Sequence, residues 1–202
     1  MLEVHLQCLF DQTGRQALET VSFTEMKQGT QADYLLLDRY EQAHTATVAD
    51  RLLTALTNLQ QGLAGYQIDR LQHSLQSATR AEADGANEEW VVAALLHDIG
   101  DDLAPMNHSE FAAAIIKPYV SEEVHWVVAH HGVFQMAYYA HHLGKDPNAR
   151  ERYRNHPFFD SCVRFCERWD QPSFDPDYPT KPLEYFAPMV RRVFAPERID
   201  SQ

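Results

Sequence analysis

Eleven histidines stand in a chain of 202 residues, and most of them fall between His73 and His156. A neutral imidazole offers one bare nitrogen lone pair, and where imidazoles recur with aspartates the chemistry they suit is metal ligation. The sharpest element is Leu95-Leu96-His97-Asp98-Ile99-Gly100-Asp101-Asp102. His97 and Asp98 close an apolar run from Trp90 to Leu96, so two titratable groups meet the edge of a buried segment, where they are costly unless a partner satisfies them. A divalent metal satisfies both, and the carboxylate can bridge two metals. Further candidates are His73, His108, the tandem His130-His131, and Asp170 after Trp169. The set His73, His97, Asp98, His108, His130 and Asp170 is enough for two metals with Asp98 between them. The tandem leaves an alternative, with His131 as the ligand and His130 behind it. Such donors suit Zn, Fe, Mn or Ni, and no cysteine sits beside them to favour a thiolate site.

Each candidate lies on or beside a different predicted helix, most of them near an end, which is how a bundle brings side chains to one buried point. Apolar recurrence at three and four predicts helices over 31–44 and 45–61, and further helices are expected over 70–84, 88–99, 108–119 (interrupted at Lys117-Pro118), 121–131, 134–142, 146–153, 157–169 and 182–194. Thr30 and Asp33 have capping-box spacing, Asn87 and Ser121 read as N-caps, and Gly132 reads as a helix breaker. Residues 1–24 show no firm period and are read as a short strand or helix. Strand signals are weak, so the fold class is all-α. The expected organisation is an N-terminal helical extension, 1–65, packed on a metal-binding domain, 66–202, in one compact unit.

A net charge of −12 argues against a non-specific nucleic-acid binder, which needs a basic stripe. Cys8, Cys162 and Cys166 are too few and too uneven for a disulfide framework, and the last two are expected as small core residues. The chain opens without a signal-like segment, and no apolar run approaches a membrane span. The expectation is a cytoplasmic protein with a small-molecule substrate and neither nucleic-acid nor membrane partner; its oligomeric state is open.

The ordered pattern His73, His97-Asp98, His108, His130 (or His131) and Asp170 resembles the HD-domain superfamily of metal-dependent enzymes. That resemblance implies an all-α bundle with a one- or two-metal site and extra helices at both ends. Most members are phosphohydrolases. Three features look like a smaller branch, the mixed-valent di-iron oxygenases that include myo-inositol oxygenase and phosphonate-cleaving enzymes. They are the 24-residue step from His73 to His97 within Leu71-Gln72-His73-Ser74-Leu75-Gln76-Ser77-Ala78, the separate pair His108 and His130, and Arg168-Trp169-Asp170. The chain departs from that branch at Gln171-Pro172-Ser173 and at His130-His131-Gly132-Val133-Phe134-Gln135. Tyr66 and Asp69 lie where the branch covers its iron with a Tyr and a Glu, in a different placement.

The resemblance implies two irons, Fe(II)/Fe(III), acting with O2 on a C–P or C–C bond of a small hydroxylated substrate such as a 1-hydroxyphosphonate. Asp98, Tyr66, Asp101 and His131 are then candidate catalytic residues, with Gln76, Gln135, Arg164 and Lys181 as candidate substrate contacts. The aromatics Tyr138, Tyr139, Tyr153, Phe158, Phe159, Phe165 and Trp169 are expected as core packing, or as a wall for a quaternary ammonium group such as that of a trimethylammonium phosphonate. The alternative is a phosphohydrolase using Mn, Co, Ni or Mg on a nucleotide or other phosphate ester, with Asp101 or Asp102 protonating the leaving group. A second alternative is a non-catalytic metal-binding regulatory domain.

Overall fold

In a computed structural model the described residues are 19–196, and among them there are helices and no strands. The opening reading of a strand or helix over 1–24 falls largely outside them, as does Cys8. Two compact units divide between Ala46 and Thr47. The expected extension reached to residue 65, whereas α2 (Val48–Asn58) falls in the unit that carries the metal-ligand candidates.

The first unit holds α1 (Gln31–Thr45). Its start is a reciprocal capping box, with Asp33 N donating to Thr30 Oγ1 and Thr30 N to Asp33 Oδ2. Asp33 also accepts from Ser22 N at 2.7 Å, which ties the preceding segment to the helix.

The second unit is built around α4 (Glu88–Leu96). Every residue from Val91 to Leu96 is buried, so α4 is apolar on all sides and must be surrounded. Its neighbours are α3 (Arg70–Ala83), α6 (Glu122–Tyr139) and α8 (Leu183–Val193), while α5 (His108–Ile116) and α7 (Phe159–Phe165) pack on α6. Asp69, Asn87 and Ser121 cap α3, α4 and α6 by accepting from Gln72 N, Trp90 N and Val124 N. The cap role accounts for Asp69 without any contact at a metal. Arg191 pairs with Asp50 and Arg192 with Glu88, fastening α8 to α2 and α4.

Four local readings are corrected. α4 ends at Leu96 rather than continuing to Ile99, so His97 and Asp98 stand in the turns that follow. Adjacent side chains on a regular helix diverge by about 100°; outside it His97 Nε2 and Asp98 Oδ2 approach to 3.1 Å. The segment 146–153 is a 3-10 turn over Ala149–Tyr153, not an α-helix. The helix expected over 157–169 stops at Phe165 and passes into a π turn, Cys166–Asp170, in which Gln171 N donates to Cys166 O at 2.9 Å. Gly132 breaks nothing, because α6 runs through it to Tyr139.

Close approach explains that glycine. A Cβ on Gly132 would lie 2.8 Å from Ser109 Oγ, and one on Gly100 would lie 3.0 Å from the His108 carbonyl oxygen. The first turn of α5 is therefore seated between two residues without side chains, and His108 is placed by that seat. Elsewhere in a helix, alanine is favoured over glycine by about 1 kcal/mol. Here Gly132→Ala is expected to destabilise, by about 1–3 kcal/mol from overpacking. Urea unfolding checks this, and most of the loss should return in Gly132→Ala/Ser109→Ala, which removes the opposing hydroxyl.

Candidate metal centre

His73 lies one turn into α3, His97 and Asp98 follow α4, His108 opens α5, His131 lies in the middle of α6 and Asp170 ends the π turn. Three of the rings are oriented the same way. His73 Nδ1 meets Ser173 O at 2.8 Å, His97 Nδ1 meets Ala94 O at 2.7 Å and His131 Nδ1 meets Val128 O at 2.7 Å. A carbonyl oxygen only accepts, so each Nδ1 carries the proton and donates it. In the neutral ring Nε2 is then a bare lone pair, and all three Nε2 atoms point inward.

Their targets are the two oxygens of Asp98. Oδ2 lies 3.2 Å from His73 Nε2 and 3.1 Å from His97 Nε2, with Asp170 Oδ1 at 3.3 and 3.5 Å from the same nitrogens. Oδ1 lies 3.2 Å from His131 Nε2 and 3.4 Å from His108 Nε2. One carboxylate thus faces two nitrogen sets through different oxygens.

Two observations test whether a metal fits. His73 Nε2 and His97 Nε2 are 3.1 Å apart, an approach of two lone pairs that is repulsive without a cation or proton between them. Asp170 Oδ2 is buried with no hydrogen-bond partner. A metal about 2.0–2.2 Å from each donor sets neighbouring donors roughly 2.9–3.5 Å apart, and the separations here fall within that span. His73, His97, Asp98 and Asp170 could hold one ion; Asp98, His131 and His108, with Asp101 beside them, could hold a second.

Electrostatics follow the same geometry. Burial acts to lower the His97 pKa, but the Asp98 and Asp170 carboxylates outweigh it and hold it well above the usual imidazole range. His73 is raised by the same balance of burial against Asp170 and Asp98. Burial would raise Asp98 and Asp170, and the neighbouring cations reverse this, His97 and Arg70 for Asp98, His97 and His73 for Asp170.

Next to Asp98 lies Arg70, a buried cation that composition and spacing did not single out. Its Nη2 pairs with Asp98 Oδ2 and its Nε with Asp101 Oδ2. Asp101 therefore neutralises Arg70, and its other oxygen faces His108 Nδ1 at 3.8 Å. Above the shell lies a cavity of about 440 Å³ whose walls include Arg70, Gln135 and the rings of Tyr66, Tyr138, Tyr139 and Phe174.

The structure separates the tandem histidines. His131 enters the cluster; His130 does not. His130 Nδ1 meets Trp126 O at 2.7 Å and its ring stacks on the Trp126 indole at 4.1 Å, one helical position from the inward face. Tyr66 and Gln135 reach the cavity wall, whereas Gln76, Arg164 and Lys181 are absent from it. Gln76 is buried and bonded to the backbone of Asp175, Arg164 is exposed on α7, and Lys181 pairs with Glu82. Of the seven aromatics singled out in the sequence, Tyr138 and Tyr139 line the cavity, while Phe159, Phe165 and Trp169 are core. Phe174, stacked on His73 at 4.3 Å, carried no spacing signal, because it sits in a Pro- and Asp-rich loop.

Residues 70–164 match the family described as HD domain. That stretch is similar to an HD domain and takes in 95 of the chain's 202 residues. The matched stretch ends short of Asp170 and begins after Tyr66. An HD domain implies a divalent metal, which the cluster above could hold, and supports a metal-dependent enzyme. The chain is also similar to the [1-hydroxy-2-(trimethylamino)ethyl]phosphonate dioxygenase (glycine-betaine-forming) of Leisingera caerulea, at 33% identity over 78 residues, covering 33% of this chain. The match spans 40% of that relative's length. Among the described residues, no helix is long and apolar enough to cross a membrane.

The shifted groups predict the stability of chelator-treated protein. A histidine with a raised folded pKa contributes fully below its unfolded value, 6.5 for His73 and His97, and loses that contribution as pH rises through the folded value. A carboxylate with a lowered folded pKa contributes above its unfolded value, 3.8 for Asp98 and Asp170, and loses it as pH falls. Chelator-treated protein should therefore be most stable between those values and weaken on either side. Because a metal needs unprotonated Nε2 atoms, the stabilisation gained by adding Mn(II) should grow with pH. Urea titrations across that range, with and without Mn(II), check both trends.

Proposed function

We propose that this chain is a di-iron oxygenase of the HD type that cleaves a C–P or C–C bond of a small hydroxylated substrate, a 1-hydroxyphosphonate being the best candidate. The observation that carries the reading is the pair of nitrogen sets on the two Asp98 oxygens beneath an aromatic-walled cavity. Similarity to a phosphonate dioxygenase supports the choice among HD chemistries.

Asp98 would bridge, with His73, His97 and Asp170 on one side and His131 and His108 on the other. When bound, two irons would supply Lewis acidity and the capacity to reduce dioxygen. The protein residues supply the rest. His73, His97 and Asp170 have side chains at most 2% exposed, whereas His108 is 28% exposed, so the His108 side is the open one. Substrate oxygens would enter there. Arg70 is already committed to Asp98 and Asp101, so it is no free receptor for an oxyanion. The anionic head would be received at the metal shell and the other end by the rings of Tyr66, Tyr138, Tyr139 and Phe174. These rings suit an apolar or quaternary ammonium tail. Those groups also limit water around the reacting carbon.

For a 1-hydroxyphosphonate the balanced reaction consumes one O2, breaks the C–H and C–P bonds at the carbinol carbon, and yields a carboxylic acid and phosphate. The test is anaerobic reconstitution with Fe(II), followed by O2 uptake and phosphate release from 1-hydroxy-2-(trimethylamino)ethylphosphonate. Equimolar O2 consumed and phosphate released is expected. Mn-dependent phosphate release from a nucleotide without O2 uptake would overturn the proposal in favour of hydrolysis. Metal analysis provides a second check. His97→Ala should abolish loading, His108→Ala should leave one metal of two with turnover lost, and His130→Ala should keep both.

A further inference from the structure

Gln76, Thr79, Arg80 and Glu82 lie along α3 beyond His73, and each holds part of the segment 173–181. Gln76 Nε2 donates to Asp175 O at 2.6 Å, and Asp175 N donates back to Gln76 Oε1 at 3.3 Å. Thr79 Oγ1 accepts from Lys181 N at 3.1 Å, the Arg80 guanidinium lies 3.7 Å from the Tyr178 ring centroid, and Glu82 pairs with Lys181 Nζ. The segment is thus a strap laid along the helix. At its near end are two groups that meet a metal-ligand candidate: Ser173 O accepts from His73 Nδ1, and the Phe174 ring stacks on the His73 ring at an interplanar angle of 20°. Phe174 also stacks on Tyr66 at 4.9 Å, forming one end of the cavity.

Among these fastenings Gln76 is distinctive. It is 2% exposed, and its amide makes a two-way pair with a single backbone unit next to Phe174. Both ends of this buried amide are engaged by the Asp175 backbone, and Gln76 does not line the cavity. We propose that Gln76 is a positioning residue, a clasp that holds Ser173 O and Phe174 against His73 and so fixes the tautomer and the ring plane of that ligand. The proposal rests on the metal reading given above.

Groups that orient a ligating histidine from behind typically change metal affinity by about 10–100-fold when removed. The test uses full-length protein and compares wild type with Gln76→Met, which keeps the length of the side chain and removes both bonds, and with Gln76→Glu, which keeps the acceptor for Asp175 N–H but sets a carboxylate against the Asp175 carbonyl. Amide hydrogen exchange is read on chelator-treated protein. Co(II)-loaded protein is read for its visible bands and its rate of Co(II) release to a chelator. Gln76→Met should speed exchange in 173–181 while α4 and α6 amides stay protected, shift the Co(II) bands and speed release about tenfold or more. Gln76→Glu should fall between it and wild type. Unchanged exchange over 173–181 would overturn the clasp. Faster exchange there with unchanged Co(II) bands and release would overturn its link to His73. Faster exchange throughout the unit in both variants would mark a general packing role and overturn the proposal as well. Wild-type protein that retains no Co(II) would instead overturn the metal centre, while the metal-free exchange still decides whether Gln76 holds the strap.

Discussion

Three imidazoles lean on three backbone carbonyls, and the rest of the site depends on that constraint. Ser173 O, Ala94 O and Val128 O belong to a loop and two helices, yet each takes the Nδ1 proton of a buried histidine and turns its Nε2 inward. The carbonyls are held by the chain fold and cannot rotate away as a side chain could. The tautomers are therefore set by the backbone, and the convergence of bare nitrogens on Asp98 is the cost that a cation relieves. Arg70 secures the same carboxylate through its Oδ2, and Asp101 balances Arg70.

The regular and irregular parts of the second unit divide the work. The apolar α4 and the helices around it bury the core and make a rigid frame. Each ligand candidate, His73 and His131 apart, stands where a helix ends, begins or changes pitch. Helix interiors separate neighbouring side chains around a cylinder, so departures from helical geometry are needed to point His97 and Asp98 at one place. Gly100 and Gly132, on either side of the first turn of α5, serve the same purpose by letting the His108 backbone and the Ser109 side chain come close.

Much of this was legible in the sequence. Apolar recurrence located helices such as α2, whose burial is one-sided, while Thr30, Asn87 and Ser121 announced the starts of α1, α4 and α6. The ordered histidines and aspartates stood out because buried imidazole and carboxylate need a reason. The fine choice between His130 and His131 was not legible, because it turns on about 100° of helical rotation that adjacent letters do not encode. Gly132 read as a breaker because its partner, Ser109, lies on another helix. Arg70 and Phe174 were hidden for a related reason: what matters about them is whom they meet across the fold. The partner of Gln76, the backbone of Asp175, lies 99 residues away and was hidden in the same way.

The π turn at Cys166–Asp170 has a consequence for how this site tolerates changes in chain length. A π turn accommodates one more residue than the α-helical turn it replaces. Trp169, tied to Asp84 through its indole N–H, and Asp170, facing His73 and His97, are both delivered by that extra residue. Loss of a single residue between Cys166 and Asp170 would restore regular helical winding and leave every side chain type in the shell intact. It would also rotate Asp170 away from the two imidazoles. The composition of this candidate shell and its register are thus separate constraints, and a change in chain length can keep the first while losing the second.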